Sequence, residues 1–216
     1  HVDWYPFLPE GGIPNDDLEL QLIWLQQLRK KGPGLTAADL VEAWTDCVAY
    51  NFDEYGLCKE NMQKGLLPPV CGWHNNAFKD CMGSPIRSEL WACVAPGCPE
   101  LAAWYAYQDA IVDHGGGESV AQYSPLNLGF QTIGWLYGED FGDAICKAVN
   151  CGWDTDCTAA TLGAILGIIG GASALPEKWI EPLGYEIATN MTTGGIRNLT
   201  APTDIRELTE VVCQEA

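Results

Sequence analysis

Positive charge is scarce in this chain: 11 lysines and arginines face 29 aspartates and glutamates, for a formal net charge of −18. A surface that acidic repels phosphate backbones and anionic lipid, which sets aside nucleic acid and membrane as partners. A long apolar run is also missing. The most apolar stretch, Ala159 to Ala174, is studded with glycine and too short to span a bilayer. It reads instead as a buried helix packed closely against its neighbours. No stretch holds the sustained alternation of a half-buried strand, and no internal repeat or second domain is visible. The 216 residues, 47% apolar and 19% charged, suit one globular domain spanning 1–216.

Cysteine, by contrast, is abundant at ten residues. Cys47, Cys93 and Cys146 lie in apolar, helix-like stretches where a free thiol behaves as a small hydrophobe. No Cys-x-x-Cys pair occurs. Cys71-x-x-His74 with Cys81 hints at zinc, but a fourth ligand at finger-like spacing is absent. A secreted, disulfide-linked scaffold is a further reading of the same count. Two sequons, Asn190-Met-Thr and Asn198-Leu-Thr, matter only in a secretory compartment. The compartment stays open, with the cytoplasm placed ahead of secretion.

The opening, His1 to Ile13, reads as loop. A helix is expected from Asn15 or Asp16, with Leu18, Leu22, Leu25 and Ile23 sharing a face and Arg29 to Lys31 at its end. Thr36 can cap a second helix through Ala43, Trp44 and Val48. From Phe52 to Ser84 the pattern breaks into loop and short helices, and Ile86 to Val94 looks like one short helix. Pro99-Glu100 opens a longer one that ends near Asp113, before Gly115-Gly116-Gly117. Further helices are expected at 126–137, 141–149, 156–169 and 204–214. The expected fold class is all-α, a compact multi-helix bundle.

Two acidic clusters carry the chemistry. One is Asn15-Asp16-Asp17 with Glu19; the other is Asp154-Thr155-Asp156 with Cys157 and Thr158. Each sits where a loop meets a helix start, so helix capping explains either one alone. Two doubled clusters invite a cation between them, because adjacent carboxylates otherwise repel. Converging oxygen ligands suit hard cations such as Mg²⁺. Asp154-x-Asp156-x-Thr158 also resembles the phosphotransfer motif of haloacid-dehalogenase-like enzymes, but that motif follows a buried strand, and these surroundings read as helical.

Longer strings are more specific. Val149-Asn150-Cys151-Gly152-Trp153-Asp154-Thr155-Asp156-Cys157-Thr158-Ala159-Ala160 resembles the Gly-Gly-Asp-Thr-Asp-Thr/Ser signature of the ADP-ribosylglycohydrolase family. Pro14-Asn15-Asp16-Asp17-Leu18-Glu19 is similar to that family's earlier Thr-Asp-Asp-Thr-Glu segment. Between them, Ile86-Arg87-Ser88-Glu89 and Ala95-Pro96-Gly97-Cys98-Pro99-Glu100-Leu101-Ala102 resemble the arginine and APGDPELAA stretch of bacterial members. Asp109 to His114 resembles the Asp-Ala-Ser-x-Ser-His turn. These landmarks fall in the family's order and cover most of the chain.

The resemblance implies an all-α domain with two Mg²⁺ ions, or Mn²⁺, at the mouth of a cleft. Asp16 and Asp17 would ligate from one side, Asp154 and Asp156 from the other. Asn15 stands where the family has a threonine ligand, and Cys157 where it has threonine or serine. Arg87 would meet a pyrophosphate or form a surface ion pair; His114 would bind ligand or complement a helix dipole; Trp153 would stack on a base or pack as core. The implied activity is metal-assisted hydrolysis of the bond joining ADP-ribose to a modified side chain or small molecule. ADP-ribose or an ADP-ribosylated substrate is the implied partner. Only His1 to Asn15 precede Asp16, so the family's N-terminal glycine-rich helix and catalytic glutamate have no match, and the chain reads as a fragment, a processed product or a shortened relative. A non-catalytic ADP-ribose binder, or a structural protein on the same fold, is the alternative.

Overall fold

The computed structural model describes residues 12–51, 53–115, 124–189, 191 and 195–216. Among these the regular elements are helical, and the only extended pairings are two isolated bridges, Val48 with Ile196 and Glu186 with Asp204. The all-α expectation holds. The opening loop to Gly11, the stretch 116–123 and the Asn190 sequon fall outside the described residues.

Helix α1 (Asp16–Lys31) shows why these boundaries form. Asn15 caps it, with its side-chain oxygen accepting from the Asp17 N–H at 2.8 Å. Asp16, Asp17 and Glu19 oppose the positive end of the dipole, and Arg29 to Lys31 oppose the negative end. Helix α2 (Ala37–Cys47) starts at Thr36, whose N–H and hydroxyl both donate to the Asp39 carboxylate at 2.9 and 2.8 Å. Helix α3 (Asp53–Gln63) lies within the stretch expected to be mostly loop. Its buried Tyr55 and Cys58, with Met62 against the core, follow a helical spacing that Gly56 and the polar neighbours obscure. The short α4 (Val70–Trp73) follows.

The single helix expected over 86–94 is split. Pro85–Arg87 is a 3₁₀ turn, and α5 (Glu89–Cys93) begins after Ser88. The Ser88 hydroxyl donates to the Pro85 carbonyl at 2.8 Å, a local bond that competes with a continuous helix. Helix α6 (Pro99–Asp113) has proline in its first turn and ends at His114. Helices α7 (Ser124–Tyr137), α8 (Phe141–Asn150) and α9 (Thr155–Gly170) pack on one another, then come α10 (Glu177–Ile180) and α11 (Ile205–Glu215).

The main core gathers Trp24, Trp44, Tyr55, Trp91 and Tyr105 from α1, α2, α3, α5 and α6. Trp91 stacks on Tyr105 with centroids 5.2 Å apart. Ile196 and Leu199 return to close this core, where the Ala49 N–H donates to Gly195 and the Arg197 N–H to Cys47. A smaller core of Ala144, Ile145, Ala148 and Leu162 joins α8 to α9. Gly134 of α7 lies against the Ala144 carbonyl and Ala148, so a side chain there would collide with α8. Between the two cores, Met82 and Ile86 pack on Cys157. That contact sets the start of α9 beside the start of α1.

Candidate functional site

The two acidic clusters meet. Ligand-capable atoms of Asp17, Asp156 and Cys157 lie within 4.8 Å of one another. Asp17 is 8% exposed, and its Oδ1 is buried without a hydrogen bond. Desolvation, then repulsion from Asp16, Asp156 and Glu89, pushes the Asp17 carboxyl up to about 7. One cation would relieve all of these strains together. The donor set, mostly carboxylate oxygen on two helix starts, fits a hard divalent ion.

The neighbours of this group are oriented by local hydrogen bonds. The Tyr55 hydroxyl donates to Asp16 Oδ2 at 2.8 Å. The side-chain oxygen of Asn15 accepts the Asp17 N–H in the N-cap bond and keeps a second lone pair. The thiol of Cys157 donates to the Asp154 carboxylate. Burial, followed by Asp17 and Asp154, drives that thiol far above its ordinary range, which keeps it protonated. In the metal-free chain the thiol positions Asp154, and sulfur is a soft donor that suits a hard cation poorly.

A cleft of about 280 Å³ opens beside the aspartates, walled by Asp16, Asp154, Glu54, Tyr55, Phe78 and Met82. This is close to the lower limit of small-molecule pockets, about 300 Å³, so it suits one part of an extended ligand. The helix α8 leading into Asp154 is followed by Cys151 and Gly152, not by a buried strand, which removes the haloacid-dehalogenase alternative.

A family model matches residues 119–214. That model describes the ADP-ribosylglycohydrolases. They are the family that the motifs resemble, and the matched segment takes in Asp154, Asp156 and Cys157. A 67-residue stretch is 39% identical to an uncharacterized protein of Archaeoglobus fulgidus, covering 31% of this chain and 21% of that protein. A 45-residue stretch is 44% identical to ADP-ribosylarginine hydrolase Tri1 of Serratia proteamaculans, covering 21% of this chain and 12% of that protein. The matches thus span about a fifth and about an eighth of these relatives. No solved structure matches.

Three residues that the ADP-ribosylglycohydrolase resemblance offered for substrate stand differently. Arg87 is 0% exposed and so is neither on the surface nor open to a pyrophosphate. Its guanidinium donates from Nη1 and Nη2 to Asp113 at 2.9 and 2.7 Å and from Nε to Asp109 at 2.8 Å. The ring faces of Trp24 and Trp44 lie 5.6 and 5.2 Å from its central carbon. His114 is also buried at the end of α6, with Nδ1 2.7 Å from Asp113 Oδ1 and Nε2 3.1 Å from the Cys81 carbonyl. Burial works to lower the His114 pKa, but Asp113 outweighs it and raises the value above the ordinary one. Trp153 is 57% exposed beside Asp154 and takes a positive φ of 68°, in the left-handed region that suits glycine. Of the three, only Trp153 stands at the surface near the acidic group.

The zinc pattern and the disulfide reading both dissolve. The Cys71 thiol is buried and donates to the Val112 carbonyl, and Cys71, His74 and Cys81 form no metal-ready group among the described residues. All ten cysteines are free thiols. The sequence pointed to neither Glu54 nor Gly83, which wall the cleft.

Proposed function

We propose that this chain is a metal-dependent ADP-ribosyl glycohydrolase, with two Mg²⁺ ions (or Mn²⁺) held by Asp16, Asp17, Asp154 and Asp156. The observation that carries this reading is the buried, unpartnered Oδ1 of Asp17 within the Asp17–Asp156–Cys157 group. The ions would orient ribose hydroxyls and acidify the attacking water. The chain supplies the rest. Asp154 is steadied by the Cys157 thiol and Asp16 by the Tyr55 hydroxyl, so the carboxylates stand ready before any ligand arrives. Phe78 and Met82 wall the cleft and limit water around the anomeric carbon. The name of the Serratia relative makes ADP-ribosylated arginine the first substrate to assay.

The test is calorimetric titration of the metal-stripped chain with Mg²⁺ and Mn²⁺, then with ADP-ribose. Metal-dependent ADP-ribose binding is expected, and Asp156→Ala should abolish cation binding. Unchanged cation binding in that variant would refute the ligand set. Binding without turnover would instead select a non-catalytic ADP-ribose binder.

A further inference from the structure

The cleft holds a buried glutamate that belongs to neither acidic cluster. Glu54, in the first turn of α3, is buried on the cleft wall with Asp16 and Asp154. Its Oε1 accepts the Gly83 N–H at 3.0 Å and stands 4.0 Å from His114 Nε2. Gly83 is required there: a Cβ at that position would press on Glu54 Oε1 well inside contact distance. Loop and helix are thus shaped around one carboxyl group, and among the described residues no lysine or arginine forms an ion pair with it.

We propose that Glu54 is the general base of this cleft, accepting the proton of the water that attacks the anomeric carbon. The assignment rests on the glycohydrolase reading above. As the water oxygen bonds to the anomeric carbon, the glycosidic bond breaks. The leaving nitrogen or oxygen keeps the bonding pair and takes a proton from solvent. Glu54 accepts the proton that the water loses and returns it to solvent, so the net reaction is addition of water.

The surroundings tune Glu54 for that work. Burial raises its carboxyl and Asp113 at the end of α6 adds repulsion, against weaker help from His114 and Arg87, so it is pushed up to about 7. Asp53 and Tyr55 flank it on α3, and the Cys81 thiol faces it from the loop. A base that titrates near the working pH is well matched to proton transfer.

The experiment compares wild type with Glu54→Gln on ADP-ribosylated arginine between about pH 5 and 9, with Mn²⁺ and ADP-ribose binding measured in parallel by calorimetry. Glu54→Gln should bind both ligands as wild type does, lose at least about 100-fold in kcat, and lose the rise in kcat centred near pH 7. Gly83→Ala displaces the same carboxyl without removing it, and should lower kcat and shift that rise; it carries the test if Glu54→Gln fails to fold. Wild-type turnover and an unchanged pH profile in the folded variant would overturn the assignment alone. Absence of metal and ADP-ribose binding in the wild type would overturn the glycohydrolase reading, and Glu54's role with it.

Discussion

Arginine 87 separates a ligand-binding site from a structural keystone, and its replacement by alanine measures the difference. Removing the guanidinium leaves Asp109 with the Trp91 indole N–H and Asp113 with His114, both carboxyls 0% exposed and without their main counter-charge. Breaking one side of a buried ion pair costs about 3–5 kcal/mol. The lost contact with Trp24 and Trp44 adds to this. In a chain of this size each kcal/mol lowers Tm by about 2–4 °C, so Arg87→Ala should melt roughly 6–20 °C below wild type. A surface arginine would move stability by no more than about 0.5 kcal/mol. The assay is a thermal melt followed by circular dichroism, repeated in urea to obtain the free energy. Restoring neutrality in the double variant Arg87→Met with Asp113→Asn should recover part of the loss, since one of the two stranded charges is gone. A Tm within about 2 °C of wild type, joined to loss of ADP-ribose binding, would refute the structural role and return Arg87 to the ligand.

Asp17 gives the metal-free protein an inverted pH dependence. Its folded value of about 7 lies above the ordinary 3.8, so the folded state holds the proton more tightly, and this group's contribution to stability is lost as pH rises through that window. The metal-stripped chain should therefore melt lower at pH 8 than at pH 5, by an amount that Asp17→Asn reduces and saturating Mn²⁺ removes; a flat Tm profile in the metal-stripped wild type would contradict this. In thiol titration, all ten cysteines should react after unfolding without reductant, whereas the native chain should expose Cys98, Cys146, Cys151 and Cys213 first. A shortfall of even one pair in the denatured count would reveal a disulfide.

What the sequence made legible was local. The start of α1 was readable because Asn15 and the acidic turn satisfy free N–H groups within a few residues, and α6 because Pro99 and Glu100 mark its start. The aspartate doublets were legible as clusters for the same reason. Arg87 was not, since an arginine between Ile86 and Ser88 carries no mark of burial until Asp109 and Asp113 arrive from α6. Glu54 was hidden twice. Its helix lies in a stretch whose apolar spacing is thinned by Gly56, and the partner that anchors it, Gly83, is 29 residues away. Trp153 was also beyond reach, because its exposure depends on a left-handed backbone between Gly152 and Asp154.

Two of these hidden residues, Arg87 and Glu54, belong to one connected structure. Arg87 fixes Asp113, whose Oδ1 holds Nδ1 of His114. Asp113 raises the His114 pKa, and His114 Nε2 lies between the Cys81 carbonyl at 3.1 Å and the Ser84 N–H at 3.3 Å. Two residues after Cys81, the Gly83 N–H reaches Glu54. Burial raises the Asp113 carboxyl, but Arg87 and then His114 overcome this and hold it well below its ordinary value. The loop is therefore tied down across a pH window with two edges. Its Asp113 contribution is lost as pH falls below the ordinary carboxylate range, and its His114 contribution is lost as pH rises past the elevated histidine value. Within that window, a core with no access to ligand determines where the cleft's carboxyl stands. A substitution at Arg87 or His114 can then change the cleft's chemistry without either side chain touching what is bound there.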